Sequence, residues 1–310
     1  MNNVEKGLLH DSLFIVPLLT FSRSALTASE LNTCPPYKYE KNIVLRSIRE
    51  LFFRFKLPFR HIWYYPVKKK YFCFFLYDGV DPGYVEWLHK QFPQSKFIMC
   101  YMNKCNLRNS PGQYHFDYLK IWSGDINDCE KYNLNFICNY GAYSRSWIVK
   151  KEKPQYDIFF VGKDKGMKRL DFLLELQRQF DDLGLKSYFH IVANHRYDRY
   201  RSIHYKKYLP YEECLKYLGK SKAILYLGYG SQEAITIRIQ ESLVHKIKLI
   251  TDCSWIKKFE FYDSENIFII GEDDFRRLPI FLNTPYKQVD AEILNHMYIE
   301  DLLTEIISRS

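Results

Sequence analysis

One stretch, from Tyr226 to Thr251, constrains the fold of this chain more than any other. It reads Y-L-G-Y-G-S-Q-E-A-I-T-I-R-I-Q-E-S-L-V-H-K-I-K-L-I-T. An apolar run ends at Leu227, a glycine-rich turn follows, and an amphipathic segment then leads to a second apolar run from Ile247. This order predicts a strand, a loop, a helix and a second strand, which is the repeating unit of a parallel sheet.

The start of that predicted helix carries side chains that suit a nucleotide. Backbone N–H groups at a helix start attract anions such as phosphate. Arg238 can hold a phosphate through two parallel hydrogen bonds, and Glu241 can accept hydrogen bonds from a ribose, as an acidic residue does in dinucleotide-binding folds. The alternative is an ordinary solvated helix surface. The residues predicted to bind a nucleotide diphosphate here are Gln232, Glu233, Thr236, Arg238 and Glu241.

A second turn, V-G-K-D-K-G-M-K-R at residues 161–169, has the same character. It follows an apolar run and places basic side chains at the start of the next predicted helix, where a pyrophosphate is stabilised. It lacks the Gly-Lys-Ser/Thr ending of a Walker A loop. The alternative is a basic surface turn. The residues predicted to contact the ligand are Gly162, Lys165, Lys168 and Arg169.

Apolar runs alternate with helical segments along most of the chain, which predicts an α/β protein with parallel sheets. A Ser-, Lys- and Pro-containing stretch at residues 141–155 predicts a linker between an N-terminal domain, 1–148, and a C-terminal domain, 149–310. The predicted strands include 12–21, 71–77, 96–101, 118–122, 156–161, 187–192 and 266–270, and the predicted helices include 41–57, 84–91, 125–132, 169–183, 210–218 and 291–308.

The spacing of these motifs resembles a known enzyme family. Glu233 and Glu241 have the E-x7-E spacing found in the nucleotide-sugar domain of many GT-B glycosyltransferases. The longer pattern Gln232-x3-Thr236-x-Arg238-x2-Glu241 is similar to that of bacterial lipopolysaccharide and capsule biosynthesis glycosyltransferases. The resemblance covers the chain from about residue 72 onward. The other segments that carry it are 74–79 with 96–103, 121–132 and 157–176.

The resemblance implies a GT-B-like fold of two Rossmann-type domains. The C-terminal domain would bind a nucleotide-sugar, and the N-terminal domain the acceptor. The implied reaction is sugar transfer to a bacterial surface glycan such as lipopolysaccharide or capsule, on a lipid carrier at the inner face of the membrane. The nucleotide-sugar would be the donor substrate, and no further cofactor is implied.

A general base is required if the transfer inverts the anomeric centre. Asp125 lies in W-S-G-D-I-N-D, within a segment that resembles the family pattern, and it is the predicted catalytic residue. The alternative role for Asp125 is to cap the following helix. Other candidates for the base in the N-terminal half are Asp78, Asp81, His89, His115 and Asp117.

A divalent metal is not expected. The chain contains no D-x-D triplet of the kind that holds the cation in GT-A glycosyltransferases, and its eight cysteines show no zinc-ligand spacing. We therefore expect a metal-independent reaction. The charge of the leaving group would be stabilised by helix dipoles and by Lys and Arg side chains.

The positive charge of the chain is concentrated in one segment. Residues 41–70 hold nine Lys or Arg and one acidic residue, against a net charge of +9 for the whole chain. The first part of this segment predicts a basic amphipathic helix, and Trp63, Tyr64 and Tyr65 lie close to three lysines. This combination favours an anionic membrane surface. The alternative is a helix whose apolar stripe packs on its own domain.

These features predict a cytoplasmic protein held peripherally at the inner face of the membrane, without nucleic acid as a partner. No stretch of 18 apolar residues is present, and the cysteine usage suits a reducing compartment. Two rival functions remain. One is a membrane-docked scaffold protein with a degenerate site, and the other, less favoured, is nucleic-acid binding through residues 41–70.

Overall fold

The computed structural model describes residues 3–18, 20–101, 104–106, 109–137, 141, 143–164, 167–228 and 235–310. The chain forms two compact units. Unit 1 consists of residues 1–146 and 296–310, and unit 2 of residues 147–295. Within the described residues, each unit contains one six-stranded parallel sheet.

Unit 1 arranges its strands in the order β2-β1-β3-β4-β5-β6. Helices connect most of these parallel neighbours, as crossover connections require. The strands are β1 (Ser12–Ile15), β2 (Asn32–Cys34), β3 (Cys73–Tyr77), β4 (Lys96–Tyr101), β5 (Leu119–Ser123) and β6 (Asn135–Phe136). The helices are α1 (Asn3–His10), α2 (Phe21–Ala28), α3 (Ile43–Arg54), α4 (Pro82–Gln91) and α5 (Ile126–Tyr132).

Unit 2 has the strand order β12-β11-β10-β7-β8-β9. Its strands are β7 (Tyr156–Lys163), β8 (Ser187–Val192), β9 (Tyr205–Lys206), β10 (Ser221–Tyr226), β11 (Lys248–Thr251) and β12 (Ile267–Ile269). Its helices are α6 (Met167–Asp182), α7 (Tyr211–Gly219), α8 (Ile237–His245), α9 (Leu278–Asn283) and α10 (Ala291–Asn295).

The predicted α/β class with two parallel sheets is confirmed. Strands β1, β11 and β12 are buried along their whole length, which is the pattern of strands covered on both faces. The bounds of β4 and β8 are the predicted ones, 96–101 and 187–192. Continuous apolar runs therefore located the central strands well.

The first predicted strand, 12–21, is too long. The extended segment ends at Ile15, and Phe21 already begins α2. The side chain of Thr20 accepts a hydrogen bond from the backbone N–H of Arg23 and so caps that helix. A helix start therefore lies inside the apolar run that sequence patterning assigned to one strand.

The predicted C-terminal helix, 291–308, is divided in two. After α10 a two-residue turn leads to Tyr298, which is extended and pairs with Tyr143. The carbonyl of Tyr143 accepts from the backbone N–H of Ile299 at 2.9 Å, and the N–H of Tyr143 donates to the carbonyl of Met297 at 3.1 Å. A separate helix, α11 (Ile299–Arg309), then follows. It belongs to unit 1, whereas the sequence placed these residues in the C-terminal domain.

In the part of the chain that the structure describes, none of the helices combines the length and the apolar character that crossing a membrane requires.

Helix α8 buries a histidine. His245 is 6% exposed, and its pKa falls to about 4, chiefly because burial disfavours the imidazolium and secondarily because Lys151 lies nearby. In the unfolded chain the same side chain takes up a proton as the pH falls through about 6.5. Neutral His245 therefore makes its full contribution to the stability of the folded protein above pH 6.5, and this contribution is lost as the pH falls from there towards 4.

We expect His245 to lower the free energy of unfolding by about 2 kcal/mol between pH 7 and pH 5. Urea unfolding of the wild type and of His245→Gln at both pH values isolates this effect, because all other titrating groups are shared. The free energy of unfolding of the wild type minus that of the variant should be lower by that amount at pH 5 than at pH 7. An unchanged difference would contradict the assignment.

Candidate functional site

The order in which the chain adds strands to the sheet of unit 2 reverses once. Numbered along the chain within the unit, its strands lie in the order 3-2-1-4-5-6, with β7 first and β10 fourth. The chain adds strands to one side of β7 and then returns to add the rest on the other side. In open α/β sheets, ligands bind at such a switch point, in the crevice outside the carboxyl ends of the two strands.

Arg169 connects the two loops that flank this crevice. Its Nη1 donates to the carbonyl of Lys163, where β7 ends, and its Nη2 donates to the carbonyl of Leu227, directly after β10, each at 3.3 Å. The guanidinium carbon lies 5.6 Å from the centre of the Phe160 ring. The structure thus brings the 162–169 turn and the Tyr226–Thr251 motif together, with a permanent positive charge between them.

Gly228 lies where the chain leaves β10 and closely approaches the next loop. Its backbone N–H donates to Oδ1 of Asp252 at 2.7 Å. A Cβ atom at this position would lie 2.5 Å from Sγ of Cys253, well inside van der Waals contact. The glycine therefore allows the loops after β10 and β11 to pack against each other beside the crevice.

The polar residues of α8 are paired within unit 2. Thr236 is the N-cap residue, but its side chain does not cap the helix. Nη1 of Arg238 donates to Oε2 of Glu241 at 2.5 Å, and the hydroxyl of Tyr211 donates to Oε1 at 2.8 Å. The Glu241 side chain is 1% exposed and that of Arg238 19%. Both carboxylate oxygens of Glu241 thus have a protein partner.

Burial dominates the electrostatics of this pair. It raises the pKa of Glu241, and the guanidinium of Arg238 and the Tyr211 hydroxyl offset only part of the cost of removing the carboxylate from water. Burial is also the largest single influence on the pKa of Arg238 and lowers it, but the Glu241 carboxylate, Tyr211 and Cys214 together outweigh burial, and the net pKa is raised. Arg238 and Glu241 therefore hold each other in place near the N-terminal end of α8.

The remaining predicted donor-site residues are distributed as follows. Gly162 lies within β7, opposite Ile191 of β8, so the strand is two residues longer than predicted. Lys168 lies in the first turn of α6. Lys165, Gln232 and Glu233 lie outside the described residues. Their predicted contacts with a ligand stay predictions.

A polar cavity of about 330 Å³ lies beside the crevice, around the carboxyl ends of β7 and β8. Within it, Oδ2 of Asp164 accepts from the hydroxyl of Tyr205 at 2.7 Å, and burial together with this carboxylate raises the pKa of Tyr205 to about 12. Asp198 and Arg201 also line it and form an ion pair. Sequence reasoning missed these residues, although Asp164 lies in the centre of the 161–169 motif.

Asp125 occupies the N-cap position of α5. Its Oδ1 accepts from the backbone N–H of Asp128 at 3.0 Å, and its own N–H donates to the hydroxyl of Ser123 at 3.1 Å. This geometry is the capping alternative that the sequence offered. A role for Asp125 as a general base stays a prediction. Among the described residues, no group of three or more His, Cys, Asp or Glu side chains is arranged to hold a metal ion.

No family model matches this sequence, and no curated protein does. Among solved structures, the Gap123 glycosylation-associated protein complex of Streptococcus agalactiae is matched with 12% identity and a TM-score of 0.40, over 86% of this chain and 55% of that one. A glycosyltransferase of Rickettsia africae ESF-5 is matched with 9% identity and a TM-score of 0.40, over 96% and 93% of the two chains. This chain therefore spans about half the length of the Streptococcus chain.

The buried pair on α8 should contribute to stability as a unit. Arg238→Ala leaves the Glu241 charge buried with Tyr211 alone, and we expect a loss of about 3–5 kcal/mol in the free energy of unfolding. Adding Glu241→Leu removes the stranded charge and should restore part of that loss. Denaturant unfolding of both single variants and the double variant measures the coupling; additive losses would show that the pair does not act together.

Proposed function

We propose that this protein is a glycosyltransferase that moves a sugar from a nucleotide-sugar to a bacterial surface glycan such as lipopolysaccharide or capsule. A fold alone does not define a function, so the proposal rests on the site. The observation that carries it is Arg169, which spans the carboxyl ends of β7 and β10 at the switch point of unit 2. The resemblance of the Tyr226–Thr251 motif to the family supports the choice of a nucleotide-sugar.

Unit 2 would hold the diphosphate of the donor. The N-terminal end of α6 and the guanidinium of Arg169 both stabilise negative charge. The adjoining polar cavity offers carboxylates, Asp164 and Asp198, that accept hydrogen bonds from nucleoside hydroxyls. Unit 1 would bind the acceptor glycan.

In the proposed reaction, the bond between the anomeric carbon and the diphosphate oxygen breaks, and its electron pair leaves with the diphosphate. An acceptor hydroxyl oxygen forms the new bond to the anomeric carbon and gives its proton to a base, for which Asp125 is the residue predicted from the sequence. The charge that develops on the diphosphate is stabilised by the N-terminal end of α6 and by Arg169. The proposal needs no divalent metal and no cofactor.

Arg169→Ala should weaken binding of a nucleotide diphosphate about 10- to 100-fold, the effect of losing a charge-assisted hydrogen bond. Isothermal titration with uridine and guanosine diphosphates and their sugar conjugates, in EDTA and again with Mg²⁺, measures this. Arg178→Ala is the matched control, because Arg178 lies on the same helix and pairs with Glu175 at the surface.

We expect similar affinities in EDTA and in Mg²⁺, and an unchanged affinity for the Arg178 control. Equal affinity of the wild type and Arg169→Ala would contradict the site. Binding that needs Mg²⁺ would contradict metal independence. No saturable binding of any nucleotide in the panel would favour the scaffold alternative over an enzyme.

The membrane part of the proposal rests on α3. The helix contacts the rest of unit 1 through Phe53, whose ring centre lies 4.5 Å from that of Tyr37, and through Arg49, whose Nη1 donates to the carbonyl of Lys38. No residue of the helix is buried. The apolar stripe predicted from the sequence lies on the other side, and all but one of its members are exposed. The exposed members are Val44, Leu45, Ile48, Leu51 and Phe55, whereas Phe52 is half-buried against Trp63.

The chemistry around this stripe favours an anionic lipid surface. The loop after α3 adds exposed Leu57, Phe59 and Ile62, and an exposed apolar patch of this kind marks an interaction site. The nine basic residues of segment 41–70 provide charge complementarity to anionic headgroups. We therefore propose that this segment docks unit 1 on the inner face of the membrane.

Val44→Ser combined with Ile48→Ser should reduce binding to vesicles that contain phosphatidylglycerol, because the substitutions remove exposed apolar area without changing charge. Exchanging Lys68, Lys69 and Lys70 for Gln should also reduce it, and more strongly at low salt. Ile203→Ser is the control, since Ile203 is 96% exposed but lies in unit 2. If the wild type stays in the supernatant with anionic vesicles at moderate salt, the docking proposal is wrong.

A further inference from the structure

The sheet of unit 1 has its own switch point. The chain places β2 on one side of β1 and then returns to place β3 on the other side, so the order reverses between β1 and β3. Outside the carboxyl ends of these two strands lies a cavity of about 270 Å³. Ligand sites in small-molecule-binding proteins begin at about 300 Å³, so this cavity suits one part of a ligand.

The cavity has a mainly apolar lining with a few polar residues. Its interior is formed by buried side chains of the sheet, of α2 and of α11. Those side chains are Phe14, Leu26, Phe75, Ile299, Leu302 and Leu303. The polar residues that line the cavity are Thr20 and Ser22, at the start of α2, and Asp78, directly after β3.

Asp78 is held in a fixed orientation by a chain of hydrogen bonds. The hydroxyl of Tyr101 donates to the carbonyl of Asn109 at 2.6 Å, and Nδ2 of Asn109 donates to Oδ2 of Asp78 at 3.0 Å. Burial raises the pKa of Asp78, and the hydrogen bond from Asn109 opposes this rise. A positioned, half-buried carboxylate beside an apolar cavity is a group that accepts a hydrogen bond from a ligand.

The surroundings select the kind of ligand. An apolar chain or ring gains from leaving water for this interior. A hydroxyl gains a hydrogen bond to Asp78, whereas an anionic head group beside the carboxylate is repelled. The cavity thus favours an uncharged amphiphile that carries hydroxyl groups next to its apolar part, over a lipid phosphate or a fatty acid.

We propose that this cavity of unit 1 binds the apolar part of a hydroxyl-bearing amphiphile whose hydroxyl donates to Asp78. Identifying this amphiphile with the acceptor end of a lipid-linked glycan rests on the proposed function; the binding itself does not. If that amphiphile is the acceptor, Asp78, one of the other general-base candidates in the sequence, takes the place of Asp125 in the proposed reaction.

Isothermal titration of the full chain with octyl β-glucoside, below its critical micelle concentration and without nucleotide, tests the proposal. Asp78→Ala should weaken binding at least tenfold, and Ser22→Phe should weaken it because the larger side chain fills part of the cavity that Ser22 lines. Glu130→Ala is the control, because Glu130 is an exposed carboxylate on α5. Asp78→Asn serves as a second variant at this position, in which the side chain stays polar but loses its charge. Thermal unfolding verifies that each protein is folded.

Octanoate, with nearly the same chain but an anionic head, provides the decisive comparison. The wild type should bind octanoate at least tenfold more weakly than octyl β-glucoside, and Asp78→Ala should bind octanoate more tightly than the wild type does. No saturable binding of octyl β-glucoside, or equal affinity in wild type, Asp78→Ala and Ser22→Phe, would overturn the proposal. Failure of nucleotide binding at unit 2 would leave these results unaffected, so the two proposals fail separately.

Discussion

The arrangement of unit 2 depends on the parallel pairing of β7 with β10. This pairing brings the end of the first strand of the unit beside the end of the fourth, and two sequence motifs some 60 residues apart therefore meet at one sheet edge. The guanidinium of Arg169 reinforces the junction by bonding the backbone of both loops. The same contacts that secure the junction place a fixed positive charge where a diphosphate would lie.

Much of the fold was predictable because buried parallel strands are continuous apolar runs, as at 96–101 and 187–192. The errors occurred where tertiary contacts override local pattern. The helix predicted over 291–308 is interrupted because Tyr143 pairs with Met297 and Ile299, a contact between segments some 150 residues apart. Gly162, assigned to a turn, instead continues β7 because it pairs with β8.

The site was only partly predictable. Spacing gave Arg238 and Glu241 as candidate ligand-binding residues, which stays a prediction, and it did not show that Tyr211 completes a buried cluster with them. The order of the strands places Asp164 and Asp78 beside their cavities, and sequence periodicity does not specify that order. For α3 the periodicity gave the apolar stripe correctly; that the helix packs through Phe53 and leaves most of this stripe exposed follows from the tertiary structure.

The central claim is that a nucleotide diphosphate binds at the switch point of unit 2. Hydrogen–deuterium exchange with and without saturating nucleotide-sugar measures this most directly, because it reports on every backbone amide in solution. The account predicts slower exchange in the peptides that contain residues 162–169 and 226–241, with little change around β1 and β3 of unit 1. Protection confined to unit 1, or absent from both of these unit 2 segments while the ligand is bound, would contradict it.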